Sequence, residues 1–251
     1  MRTLSRIALP LAAWLFSQTS SSGLGPGLAP ALARDPIRTN EVSCDHPPAW
    51  LTEARVDKVV ARVQDVLEWD IRRIRLAWYT SRTEFEKTHG FGPTVLAFAR
   101  KTDNSVHMGP EVTRDNFETT FGHELTHVIL YQKYKDSVPR WLEEGLANFV
   151  GRKGRVDYAW LASQPPRDVT SLTHPFAGLQ SGSEQSKFHY QASTALAEMI
   201  ASKCDLQGLL QLSVGSKFAT YLDTTCGISD VNAEYRKWIR RKSGKAPGAA
   251  N

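Results

Sequence analysis

The sequence offers no apolar run long enough to cross a membrane. The N-terminal run, Ile7 to Phe16, is ten residues, whereas a spanning helix needs about 20. Cysteine is scarce, with three in 251 residues, and none follows the apolar run where a lipid anchor would be attached. Charge of one sign is also lacking. The formal net charge is +5, falling to +3 once Arg2 and Arg6 are discounted, too little for a nucleic-acid-binding surface. The basic stretch Arg236 to Lys242 reads as the solvated face of a helix. Repeats and low-complexity tracts are absent, and the apolar and charged fractions of 41% and 23% are those of a globular protein. Nothing in the sequence specifies an oligomeric state.

What is present begins with Met1 to Arg6, a short basic segment before the apolar run, which is the layout of an export signal. Ala31-Leu32-Ala33 supplies a small-x-small cleavage site. Residues 1–33 are therefore expected to be a signal peptide cut before Arg34, a cut nearer Ser20 being the alternative. The product is expected in the periplasm or medium with no stable membrane insertion. Cys204 and Cys226 could close a loop, a bridge that would add about 3 kcal/mol. Buried thiols fit their spacing equally well.

Residues 34–49 read as a leader or linker, and 50–242 as one domain. From Leu51 to Leu67, Val56, Val59, Val60, Val63 and Val66 lie at helical spacing. Ile71 to Tyr79 alternates as a strand, and Ser81-Arg-Thr-Glu84 is a capping box. Val95 to Ala99 and Ser105 to Gly109 are short β segments joined by the polar turn Lys101 to Asn104. Thr113 to Tyr134 is helical, Val138-Pro139 interrupts it, and Arg140 to Val150 is helical again. Gly151 to Ser186 reads as a loop over an active site, with helices from His189 to Lys242 and a flexible tail at 243–251. The fold class is thus α+β, with a small mixed sheet and helices in an N-terminal lobe (50–135), a mainly helical lobe (136–242), and the chemistry between them.

That chemistry centres on His123-Glu-Leu-Thr-His127. A spacing of four puts both imidazoles on one helical face, where they can share a cation, and Glu124 is placed to take a proton from water beside it. A catalytic metal site needs a third protein ligand and an open fourth position. An extended motif would need Gly and His at positions 130 and 133, which are Leu130 and Lys133. Two carboxylates downstream, Glu143 and Glu144, remain as candidates.

His-Glu-Leu-Thr-His followed by Trp141-Leu-Glu-Glu-Gly-Leu-Ala147 resembles the gluzincin metallopeptidases, in particular the peptidase MA-like family. The resemblance spans about Ile71 to Ile239 and implies a zincin-like fold, one zinc ion and peptide or protein substrates. It implies Glu144, directly before the Gly, as third ligand beside His123 and His127, with Glu143 as a neighbour that orients water or faces solvent. It also implies Tyr190 as the donor to the oxyanion, and places Asn148 where the family often has a carboxylate. Segment 105–109 would be an edge strand lining the cleft. The family's exopeptidases carry Gly-x-Met-x-Asn there, whereas this chain has Val106-His-Met-Gly-Pro110, so endopeptidase activity is expected. The alternative is a zincin-like binding module with weak or no catalysis. His46, His89, His107 and His174 are left outside the site.

Overall fold

A computed structural model describes residues 35–68, 70–92, 94–172 and 183–244. The expected signal peptide, most of the expected tail and part of the expected active-site loop lie outside the described residues. The fold is α+β: a five-stranded mixed sheet with nine α-helices among the described residues.

The first correction to the sequence reading is that residues 35–49 are not a leader or linker. They fold as β1 (Ile37–Arg38) and β2 (Val42–Cys44), an antiparallel pair that extends the sheet. Ile37, Val42 and Cys44 are buried in the main core. Burial also pushes the Cys44 thiol up to about 11. Next comes α1 (Glu53–Val66), capped by Thr52, whose side chain accepts from the Arg55 N–H; of the five valines at helical spacing four are buried and Val66, in the last turn, is half-buried.

Strand β3 (Ile74–Trp78) runs parallel to β2. The short α2 (Arg82–Lys87) is capped by Ser81. Strands β4 (Ala97–Arg100) and β5 (Ser105–Met108) form an antiparallel hairpin. Its turn is a 3-10 segment closed by Asn104 in the left-handed region at φ 53°, which asparagine tolerates better than most residues.

The sheet order is β1-β2-β3-β5-β4, which supplies a second correction. Segment 105–109 is not an edge strand: β5 pairs in parallel with β3 and is buried along its whole length. The edge belongs to β4, which precedes β5 in the chain but lies outside it in space.

On β5, His107 is fully used in the fold. Its ring stacks on Phe98 at 4.5 Å between centroids, its Nδ1 pairs with the Tyr79 hydroxyl at 2.8 Å, and its Nε2 pairs with Ser105 Oγ at 2.8 Å. Burial above all, with help from Arg100, holds its pKa down to about 4. A base whose folded pKa lies below its unfolded value of about 6.5 gives stability that is complete above 6.5 and is lost as pH falls toward 4. Between about pH 7 and pH 4 the protein should lose on the order of 3 kcal/mol through this group. Urea titrations at both pH values should show a smaller loss for His107→Gln than for the wild type.

Below the sheet, α3 (Phe117–Tyr134) is buried on nearly every face, as expected of a central helix. It ends at Lys135 (φ 49°), and Val138, extended ahead of Pro139, leads into α4 (Arg140–Gly151). The expected loop 151–186 contains a further helix, α5 (Tyr158–Ser163), capped by Asp157. The remaining helices are α6 (Glu184–Ala201), α7 (Leu206–Ser213), α8 (Phe218–Cys226) and α9 (Val231–Lys242). Cys204 and Cys226 are disulfide-bonded, tying the end of α8 back to the turn after α6.

Candidate metal centre

The site lies where α3, α4 and α6 meet the edge strand. Helix α3 carries His123, Glu124 and His127 on the side facing α4, and α4 carries Glu144 opposite them. Two glycines set how closely these helices approach. A Cβ on Gly145 would stand 1.9 Å from the Ser193 carbonyl oxygen on α6, and one on Gly151 would stand 2.6 Å from the His123 backbone nitrogen. Both distances are below any real contact, so each position needs a residue without a side chain. Ser193 reinforces the α4–α6 contact by accepting from the Gly145 N–H at 2.7 Å and donating to the Trp141 carbonyl at 2.7 Å.

The three candidate ligands are all buried, and their donor atoms lie within 4.8 Å of one another. His123 Nε2 is 3.6 Å from Glu144 Oε2, and His127 Nε2 is 3.5 Å from Glu144 Oε1. Two ligand atoms each 2.0–2.2 Å from a tetrahedral zinc ion stand about 3.4 Å apart, so the spacing fits the ion. Of the two downstream carboxylates, Glu144 is the one that faces both ring nitrogens.

Glu143 takes a different place, which sequence reasoning left open between water and solvent. Its Oε1 accepts from His127 Nδ1 at 3.0 Å, and Lys101, in the turn after β4, forms a close ion pair with it. Burial alone would raise its pKa, but His127 and Lys101 together bring it down to about 2, so it is a carboxylate at neutral pH. It fixes the ring of His127 so that Nε2 points at Glu144, the usual second layer of a metal-binding histidine. Glu143→Ala should lower zinc affinity about tenfold to a hundredfold, as read by competition with a chromophoric chelator. An unchanged affinity would show that Glu143 does not position His127.

His123 is supported more weakly. Thr194 Oγ1 donates its proton to the Tyr190 carbonyl at 2.7 Å and so can only accept from Asn148 Nδ2, at 3.1 Å. That orients the amide oxygen of Asn148 away from Thr194. Asn148 interacts with His123 and raises its pKa, but His123 Nδ1 has no hydrogen bond of regular geometry.

The titrations separate accordingly. His123 is pushed well below its ordinary value, by burial first and by the Lys153 ammonium second. His127 is raised, because Glu144, Glu143 and Glu124 outweigh its burial. Burial raises the Glu124 carboxyl, bringing it closer to the range where a carboxylate can accept and return a proton. The Tyr190 phenol is pushed upward by burial and by Glu144 and Glu124, which keeps its proton on and leaves it a donor.

Glu124, Tyr190 and the three candidate ligands all line one cavity of about 530 Å³, whose opposite wall is formed by residues 94–99 before and along β4. Missing from the sequence reading is Lys153 in the same lining. It lies past the end of α4, where Arg152 turns the chain in the left-handed region at φ 56° and the Lys153 N–H returns to the Asn148 carbonyl. A non-glycine left-handed residue carries no clear signal in sequence.

Fold and site together define an α+β protein with a buried His-His-Glu group able to hold a metal ion. No protein-family model matches the chain, and no curated protein matches it.

Proposed function

We propose that this protein is a zinc-dependent peptidase of zincin-like, gluzincin type, acting within peptide chains. The observation that carries the reading is the placement of Glu124 beside three mutually facing donors, His123, His127 and Glu144, on the wall of one cavity. His123, His127 and Glu144 hold the metal. Zinc, when bound, supplies Lewis acidity that acidifies water and polarises a carbonyl. Glu124 accepts the proton of the attacking water and delivers it to the departing amine. Tyr190 donates its O–H to the oxygen that gains charge during attack.

Substrate docks along β4. As the edge strand it has backbone groups not taken up by β5, and an extended peptide can pair with them by strand addition. Recognition through the main chain needs no free terminus, in keeping with endopeptidase action. The disulfide between Cys204 and Cys226 and the basic-apolar N-terminus support export to an oxidising compartment.

One observation favours a second reading, a zinc-holding module that binds peptides without cutting them: His123 Nδ1 lacks a strong acceptor. Against it stands Glu124, buried in the position of a general base. The test is cleavage of an unstructured protein substrate by the zinc-loaded chain. Activity should vanish on chelation and return with stoichiometric zinc. Peptide binding without cleavage would select the module.

A further inference from the structure

A second cavity of about 250 Å³ adjoins the first and shares Lys153 and Tyr190 with it. Its remaining lining includes Arg155, Gln191, Thr194 and Asn148, with no acidic residue. Among the described residues neither Lys153 nor Arg155 forms a salt bridge. Of the other two lysines lining the first cavity, Lys101 is paired with Glu143 and Lys187 lies over the Trp160 ring.

The two sides of the metal group therefore differ in chemistry. Toward β4 the wall is apolar, formed by residues such as Val95, Leu96 and Phe98, with Phe91 47% exposed at the same cavity. Toward the junction of α4 and α6 it is cationic. Lys153 is held near the metal group by the turn at Arg152 and by the close α3–α4 approach at Gly151. Its charge is felt at both His123 and Glu124.

We infer that this second cavity is a carboxylate-binding subsite, in which Lys153, with Arg155 behind it, engages a carboxylate of the peptide next to the cleaved bond while an apolar side chain lies against β4. The inference rests on the peptidase reading for its substrate and names a preference which that reading lacks. The carboxylate has two sources: an acidic side chain within a longer peptide, which keeps the action within chains proposed above, or the C-terminus of a short peptide, which would replace it with release of C-terminal residues. A charge-assisted hydrogen bond to a lysine in a partly enclosed site favours carboxylate over a neutral isostere by about tenfold to a hundredfold.

The experiment uses the full zinc-loaded chain and one apolar peptide in four forms: free C-terminal acid, C-terminal amide, and the amide with an internal Glu or Gln. For wild type, kcat/KM should favour the acid over the amide, or Glu over Gln, by about tenfold or more; which pair responds identifies the source. In Lys153→Met that ratio should fall to about one, mainly through KM, and Lys153→Arg should restore most of it. The same ratio should appear in Kd, measured by calorimetry on zinc-loaded Glu124→Gln, where no turnover is needed. Carboxylate-selective binding with no cleavage by the wild type would end the peptidase reading and leave the subsite standing. Cleavage with no carboxylate preference, a preference that survives in Lys153→Met, or no binding of the carboxylate peptides would overturn the subsite.

Discussion

Glu124→Gln should keep one zinc per chain and lose peptide hydrolysis by about a thousandfold or more. Glu124 lies outside the group of three donors that can share an ion, its Oε1 being 4.0 Å from His123 Nε2. Glutamine has the same shape and fills the same buried space, so neither the helix nor the ligands should move. What is lost is the ability to accept a proton from water and return it to the leaving amine. Burial raises the carboxyl's pKa, and the amide has no counterpart to that titration. Zinc analysis and steady-state kinetics on one preparation separate the two effects. Undiminished turnover in the glutamine variant would show that another group is the base.

The second large effect is structural. Gly145→Ala should destabilise the fold by about 3 kcal/mol or more, because a methyl 1.9 Å from the Ser193 carbonyl oxygen forces α4 and α6 apart. In a protein of this size that corresponds to a drop in Tm of about 6–12 °C. The shift also displaces Glu144, the neighbouring residue, so zinc affinity should fall together with stability. The same substitution at Gly90, where an added Cβ meets nothing within 4 Å and the backbone is not in the left-handed region, serves as a control for the general cost of losing a glycine. A Gly145→Ala protein with wild-type Tm would mean that the helices are not in the contact described.

What could be read from sequence was local. The valine spacing of α1, the cap at Ser81, the β4–β5 hairpin and the break at Pro139 each depend on residues a few positions apart. The His-x-x-x-His spacing is local too, which is why the pair falls on one face of α3. The features missed depend on distant pairing. Strands β1 and β2 are two and three residues long and exist because β3 and the core accept them. The edge passed from β5 to β4 because order in the chain and order in the sheet differ. Glu143 and Glu144 are adjacent, so spacing alone could not say which would face the ring nitrogens; the close passage of α4 over α3 at Gly151, together with its seating on α6 at Gly145, decides it. Lys153 came to the site through an unusual turn at Arg152 that composition does not mark.

The most direct test of the central claim is metal content, by mass spectrometry of the purified full chain beside Glu144→Ala. The expected result is one zinc ion per wild-type chain, lost or weakly held in the variant. No zinc in the wild type after reconstitution, or equal zinc in both proteins, would contradict the three-ligand centre and the peptidase mechanism built on it.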